Sequence, residues 1–549
     1  MRFVVVPEAD GAGRVLGPSG VPENVPNLAR WMAGRDARWV VPSVEALYPD
    51  LLGAGVRLDR CHDLALTEGI LLAFEERPGR PRNLAAAWAR LRGLPAEPDD
   101  PRPAARIEQP TLFEAEREPV PAGTDVLSAA AAVFDDQQRR IAATAQPDRL
   151  RLLVAAESAG ALAAAEMTHH GLPWRADVHT DLLTELLGPK TPPGIRPKVL
   201  AELAEEITAA FGLVGAPESR QINPDNPASV VRAFGRAGID VPSSRAHVLK
   251  EVSHPAVAPL LRYKELARLW VAHGWSWLDA WVSSGRFRPE YVVGGVVSGR
   301  WATRGGAALQ LPKQLRTAVR ADDGWSLVVA DAAQLEPRVL AALAGDRKLA
   351  DVSRGVDLYA GLAEEVFDGD RGHAKIAMLS AMYGGTSGGA GPLLAKLRKR
   401  FPHAVDYVEA AARAGEEGQV VRSRLGRTSP PPSEKWRALM GSPDADERSS
   451  RQAARDWGRF TRNFVVQASA ADWALTLLAT LRQRLSRTNA QLVFFQHDEV
   501  MVHCPEETSE YVADAMRDAA TEASRLVFGN TPVHFPLEAA VVNCYADAK

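Results

Sequence analysis

Cysteine is scarce: Cys61, Cys504 and Cys544 are the three in 549 residues. An odd number without ligand spacing indicates neither a disulfide framework nor a zinc cluster, and it fits a reducing compartment. Long hydrophobic runs are lacking. No uninterrupted apolar stretch reaches the ~18 residues of a membrane span, so no membrane partner is expected and a cytoplasmic protein is. Net charge is also nearly absent, since 65 basic residues against 68 acidic ones leave −3. The whole-chain balance therefore carries no sign of a polyanion partner. Lysine is rare, with eleven among the 65 basic residues; a GC-rich genome is the favoured explanation, with arginine forks that suit phosphate as the alternative. No repeat of fixed period is found. What is present is ordinary: 46% hydrophobic and 24% charged residues exclude wholesale disorder. At roughly 150 residues per domain, the length gives about three or four structural units.

Residues 1–76 alternate short strand-like runs (Phe3–Val6, Trp39–Val41) with helical ones (Val25–Met32, Asp63–Phe74) and read as a small α/β unit. Residues 77–124, with RPGRPR, PAEPDDPRP and EREPVPAG, read as a Pro-rich linker, with a continuation of the first domain to about 145 as the alternative. From Val126 to about Val282 the pattern is mostly helical. The remainder mixes strands with long helices, and the chemistry is concentrated there.

Three stations stand out. In SLVVADAAQLEPR a buried strand, Leu327–Ala330, delivers Asp331 at its end, and Glu336 follows in a helix; taken alone, Asp331 reads as a helix cap rather than a functional acid, and Glu336 as a solvated helix residue. In LVFFQHDEVMVHCP two β-rich runs flank His497, Asp498 and Glu499. Without Gly or Asn this is a poor hairpin turn. Two strands that each offer an Asp supply hard carboxylate oxygens for a pair of divalent cations. In RGHAKIAMLSAMYGG, Arg371, Lys375, Leu379 and Tyr383 recur every four residues on one helical face, and Gly384–Gly385 end the helix. A second stripe, Arg459, Asn463 and Gln467, has the same spacing.

Taken jointly, Asp331…Glu336-x-Arg338, Arg371-x₃-Lys375-x₇-Tyr383-Gly384, Arg459-x₃-Asn463-x₃-Gln467 and His497-Asp498-Glu499 resemble, in order and spacing, the polymerase domain of family A DNA polymerases, the DNA polymerase I type. SGRWATRGGAALQLPKQLR (Ser298–Arg316) and LLRYKELARLW (Leu260–Trp270) look like two further segments of that family, and the resemblance runs from about Arg149 to the C-terminus. It implies an α+β fold, a right-hand polymerase whose palm is an antiparallel sheet between helical fingers and thumb, behind a small ribonuclease-H-like exonuclease-type domain. The expected boundaries are 1–76 for a degenerate exonuclease-like domain, 125–290 for thumb and lead-in helices, 291–345 and 486–549 for the palm, and 346–485 for the fingers.

The activity implied is DNA-directed DNA synthesis: a primer 3′-hydroxyl attacks the α-phosphorus of a dNTP and pyrophosphate leaves. The resemblance assigns two Mg²⁺ ions, with Mn²⁺ as substitute, to Asp331, Asp498 and the backbone carbonyl of Ala332, with Glu499 nearby. Arg371 and Lys375 would hold the β- and γ-phosphates, Lys375 serving also as candidate proton donor to pyrophosphate. Tyr383 would stack near the nascent pair, His497 would touch the triphosphate or primer end, and Glu336 would exclude a ribose 2′-hydroxyl. Arg300, Arg459, Asn463 and Gln467 would contact primer and template. Pro337 and Leu379 depart from the family pattern, where Leu and an aromatic residue stand; both bear on nucleotide selectivity.

At the front, Cys61–Glu75 resembles part of the family's proofreading domain, but residues 1–60 contain no Asp-x-Glu. A nuclease-dead relic, with Asp63 structural, is expected. Gln109-Pro-Thr-Leu112-Phe113 is similar to peptides that dock on the bacterial sliding clamp. Primer–template DNA and dNTPs are the expected partners, of a monomer in the bacterial cytoplasm associated with the nucleoid, in repair or gap filling. Two other readings stay open: a single-subunit phage-type RNA polymerase and a catalytically silent DNA-binding scaffold.

Overall fold

The alternating signals of the first hundred residues become β1 (Arg2–Pro7), β2 (Gly13–Leu16), β3 (Pro22–Val25), α1 (Leu28–Met32), β4 (Arg38–Val41), α2 (Val44–Gly53), β5 (Arg60–Asp63) and α3 (Leu64–Phe74). They form one sheet in the order β3-β2-β1-β4-β5, with β4 and β5 parallel to β1 and the two hairpin strands antiparallel. The two-residue period of a strand divides its side chains between two cores. Val5, Trp39 and Val41 join Tyr48 and Leu51 on one face, while Val4, Val6 and Val40 meet Leu64 and Phe134 on the other. The expected helix over Val25–Met32 is shorter because Val25 closes β3 and Asn27 caps α1 through its side chain.

The structure, a computed structural model, describes residues 1–99, 124–192, 194–213, 222–385, 389–442 and 446–548. Gln109, Leu112 and Phe113 lie outside them. Within the stretch read as linker, α4 (Leu84–Leu91) forms behind an Asn83 cap, and its Leu84 and Ala87 share a core with Leu127 and Ala130 of α5 (Val126–Ala142). Prolines flank that helix and leave its interior free, so composition averaged over the stretch hid it.

The chain divides into two units, and the boundaries differ from those expected. The first takes Met1–His170, Glu290–Arg304 and Gly324–Val542; the second takes Gly171–Pro289, Gly305–Asp323 and Asn543–Lys549. Thus α5 and α6 (Pro147–His170), read as lead-in to a thumb, belong to the first unit. The reason is burial, since Leu162 of α6 enters the N-terminal sheet's core and Leu150 and Leu153 enter the large core behind the site.

The second unit carries β6 (Leu172–Pro173), α7 (Ala176–Leu187), α8 (Lys198–Ala210), α9 (Pro227–Arg236), α10 (Ala246–Leu249), α11 (Val257–His273), α12 (Trp275–Trp281), β7 (Val282–Ser283) and β8 (Arg286–Phe287). Its aromatic centre is Trp174, His179, Trp277 and Phe287. Gly305 lies at φ 65°, and a Cβ there would stand 2.2 Å from the Trp281 ring. This explains why residues 305–323 belong here and interrupt the expected palm.

The first unit resumes with β9 (Glu290–Val292), β10 (Ala302–Arg304), β11 (Trp325–Ala332), α13 (Leu335–Ala344), α14 (Arg347–Val352), α15 (Leu358–Val366), α16 (Arg371–Tyr383), α17 (Ala390–Arg400), α18 (Pro402–Glu416), α19 (Glu434–Gly441) and α20 (Glu447–Arg484). β12 (Gln491–Gln496), β13 (Glu499–Pro505), α21 (Ser509–Phe528) and β14 (Leu537–Val542) complete it. The central sheet is antiparallel throughout, in the order β12-β13-β11-β14, and α21 packs on three of its strands. An 18-residue window within Glu447–Arg487, which includes α20, has mean hydropathy 1.4, apolar enough for a membrane span, yet 89% of it is buried inside the protein. Its apolarity is that of a core helix.

Candidate active site

β11 and the β12–β13 hairpin bring the first two stations together. Asp331 stands opposite Glu499 in the ladder, and Glu499 stands opposite Gln496, so His497 and Asp498 are a two-residue turn. The turn closes although it has no glycine, with His497 at φ 59°, a conformation that non-glycine residues rarely adopt. Such strain persists where surrounding structure enforces it. Here the Ala332 N–H donates to the Asp498 carbonyl at 3.2 Å and ties the turn to the end of β11.

The electrostatic result falls on Asp498. The Asp498 carboxyl is pushed up to about 7, first by burial and then by the negative charge of Asp331. The neighbouring His497 imidazole is moved down from its ordinary value, by burial and by the Arg300 cation.

Glu336, in the first turn of α13, is a hub. Its two oxygens accept from the Arg300 guanidinium and from the Tyr383 hydroxyl. Burial and the Glu336 carboxylate push the Tyr383 phenol up to about 12, opposed by a hydrogen bond with Gln467. Tyr383 ends α16, and Gly384 at φ 71° caps it in the left-handed conformation. A Cβ on Gly384 would come within 2.6 Å of Arg459 Cγ, so the glycine also lets α20 approach. The first station, the end of α16 and Arg300 thus meet at one carboxylate.

α16 positions the cations. Asp370 caps it by accepting from the His373 N–H at 2.9 Å. Arg371 is the first helical residue, where a cation opposes the helix dipole; its Nε donates to Asp357 Oδ2 at 2.7 Å. Lys375, one turn on, is exposed and has no hydrogen bond or ion pair among the described residues. Leu379 is half-buried and packs on the core. On α20, Arg459 pairs with Asp456, and Asn463 holds a buried Oδ1 without a partner.

Sequence reasoning gave no role to Arg338, Asp357 or Gln334. Arg338 is 1% exposed and donates to the carbonyls of Ala333, Gly355 and Val356 at 2.9, 2.9 and 2.7 Å, to that of His534 at 2.8 Å and to that of Ser353. Gln334, at φ 48°, accepts from the Leu358 N–H at 2.9 Å. Arg338 lay within a motif, but its partners come from segments far away in sequence. At the front, Asp63 accepts from the N–H groups of Val44 and Leu66 at 2.7 and 2.8 Å, bracing two helix starts.

Residues 235–542 match the model of DNA polymerase family A. The chain belongs to that family. The DNA polymerase I of Chloroflexus aurantiacus is 26% identical over 339 residues, covering 53% of this chain and 34% of that protein. The thermostable DNA polymerase I of Thermus aquaticus is 26% identical over 332 residues, covering 54% and 37%. That of Mycobacterium bovis is 24% identical over an alignment of 580 residues, covering 98% and 59%. The chain therefore spans about a third of the length of the first two relatives. Among solved structures, the POL domain of Pol1 from M. smegmatis, in complex with DNA primer-template and dNTP, superposes with a TM-score of 0.73 at 19% identity, covering 100% of this chain and 96% of that one. The fold is that of a family A polymerase domain.

Proposed function

We propose that the chain is a DNA-directed DNA polymerase, adding dNTPs to a primer 3′-end by phosphoryl transfer. The observation that carries this reading is the pair Asp331 and Asp498, delivered by adjoining strands into one negative field and facing, through Glu336, the helix that bears Arg371 and Lys375.

The donor set fits hard divalent cations. Among the described residues no group of three His, Cys, Asp or Glu stands ready as a cage. One or two carboxylates completed by water and substrate phosphate are how Mg²⁺ is usually bound, and Asp331 and Asp498 are brought together at the ends of adjoining strands. Asp331, Asp498 and the Ala332 carbonyl would hold two Mg²⁺, or Mn²⁺ in their place. Bound there, the ions would lower the charge that develops on the attacking and leaving oxygens.

The chain's own residues do the rest. Arg371 and Lys375 bind the triphosphate, the first through the Nη edge that Asp357 leaves open and the second through a mobile ammonium. Lys375, unpartnered, is placed to give a proton to the departing pyrophosphate. Glu336, fixed by Arg300 and Tyr383, walls off the sugar's 2′ position. Arg459, Asn463 and Gln467 face primer and template. Their minor-groove readout is nearly independent of sequence, which is what copying any template requires.

Proofreading is absent in this reading. The centre of β1 is Val4, Val5 and Val6, all buried, where a nuclease would need carboxylates, and Asp63 is spent on two helix caps. Repair or gap filling in a bacterial cytoplasm follows from that make-up. The test is primer extension with dNTPs and with rNTPs, comparing wild type with Asp498→Ala in Mg²⁺ and in Mn²⁺. Incorporation of dNTPs by the wild type, reduced at least about 1,000-fold in the variant, is expected from loss of a metal-holding carboxylate. No dNTP incorporation by the wild type in either metal sinks the reading, and rNTP preference makes the chain an RNA polymerase.

A further inference from the structure

We propose that Asp357 is a positioning residue that sets how tightly the chain holds a triphosphate, acting through Arg371 as a fixed counter-charge; this rests on the triphosphate role proposed for α16. Asp357 lies outside the motifs that carry the resemblance. Its Oδ1 caps α15 by accepting from the N–H groups of Tyr359 and Ala360 at 2.9 and 3.1 Å, and its Oδ2 accepts from Arg371 Nε at 2.7 Å. One carboxylate thus joins two helix starts.

Asp357 cannot swing aside when a polyanion arrives. The backbone before it is pinned by Arg338, which holds the carbonyls of Gly355 and Val356. The backbone after it is pinned by its own cap. Arg371 is held on a second side by the Tyr359 ring, whose centroid is 5.7 Å from the guanidinium carbon. The Nε edge of the fork is therefore occupied, and the Nη edge remains for phosphate.

The consequence is electrostatic. A triphosphate of about four negative charges on Arg371 would sit close to a carboxylate that neutralises part of the arginine's charge. An active site that must release pyrophosphate after every addition gains from that restraint, because a bare Arg371 and Lys375 pair at a helix N-terminus would retain the product.

Asp357→Asn separates charge from structure. The amide oxygen still accepts the two N–H groups of the cap, so α15 keeps its start, while the negative charge beside Arg371 is gone and, with an amide N–H where Oδ2 accepted, so is the hydrogen bond from Arg371 Nε. Calorimetric titration of dATP, and of pyrophosphate, into wild type and Asp357→Asn should show the variant binding both roughly three- to tenfold more tightly, from loss of one nearby like charge. Its thermal midpoint should be unchanged. In steady-state primer extension the KM for dATP should fall by the same factor without a gain in kcat. Equal or weaker binding by Asp357→Asn overturns the proposal. Asp357→Ala is the second variant: it removes cap and charge together, so tighter binding with a lowered thermal midpoint supports the electrostatic role, whereas a lowered midpoint with unchanged binding leaves Asp357 a helix cap. Wild-type extension with unchanged affinity in Asp357→Asn defeats this inference alone, whereas failure of the wild type to extend a primer defeats both it and the polymerase reading.

Discussion

Glu336 concentrates what single residues contribute to this site. One carboxylate accepts from Arg300 and Tyr383, and the phenol's raised affinity for its proton keeps it a donor at any neutral pH. Removing the carboxylate changes two things: it opens space at the sugar, and it frees an arginine and a tyrosine that were held. Glu336→Ala should raise rNTP incorporation relative to dNTP by at least about tenfold, since discrimination here is by exclusion of a hydroxyl, with a lower kcat for dNTP because Tyr383 is no longer fixed. Single-nucleotide incorporation assays with matched dCTP and CTP check it; an unchanged ratio counts against Glu336 as the sugar wall. At this scale much was legible in the sequence. Asp331, Glu336, Lys375 and Tyr383 sit at the spacings of strands and helices, which the chain writes locally. His497 at φ 59° was less legible, because histidine enters the left-handed region more readily than most residues but far less than the glycine or asparagine expected of such a turn.

Elements are held by contacts that sequence does not announce. Arg338, two residues from Glu336, gives its guanidinium to five backbone carbonyls in three segments: the end of β11, the α14–α15 connection and the approach to β14. No carboxylate is among those partners, and burial brings its proton affinity down to about 10, so it remains a cation at neutral pH. Arg338→Met would leave those carbonyls buried without donors. A loss of about 3–5 kcal/mol in urea unfolding is expected, the range for breaking a buried charged network. The α14–α15 connection should also lose protection from hydrogen exchange more than β1–β5 does. A loss below about 1 kcal/mol would mean that water replaces the arginine at little cost. The compact units are set at this same scale. The helical pattern from Val126 onward reads, with the family resemblance, as lead-in to a thumb, the first domain reaching about 145 in the alternative; what assigns a helix to a compact unit is where its apolar face is buried, and Leu150, Leu153 and Leu162 of α6 reveal that only in three dimensions.

For the whole molecule, the two units should respond differently to acid. In the second unit His179 and His273 are both buried and both moved down to about 4, chiefly by burial, with His179's charge adding to the effect on His273. A histidine whose folded pKa lies below its unfolded value of 6.5 binds fewer protons folded than unfolded. Its contribution is present above pH 6.5 and is lost as pH falls toward 4. Each shift corresponds to on the order of 3 kcal/mol at the lower end of that window. The first unit contains His62, likewise moved down to about 4 by burial, but also Asp63, pushed up to about 6 by burial. A carboxyl with a raised folded pKa has the opposite sign: its folded form takes up a proton as pH falls through 6, and stability rises. Between pH 6 and 4 the adjacent His62 and Asp63 therefore nearly cancel, while among the described residues of the second unit no raised carboxyl offsets its two histidines. Acidification from pH 7 to 4.5 should expose residues 171–289 to hydrogen exchange, corrected for intrinsic rates, before β1–β5 are affected. His273→Gln should reduce that difference, because an amide stays neutral over the whole window. Simultaneous loss of protection in both regions would mean that the units unfold as one, and loss in β1–β5 first would mean that burial of His62 outweighs the compensation from Asp63.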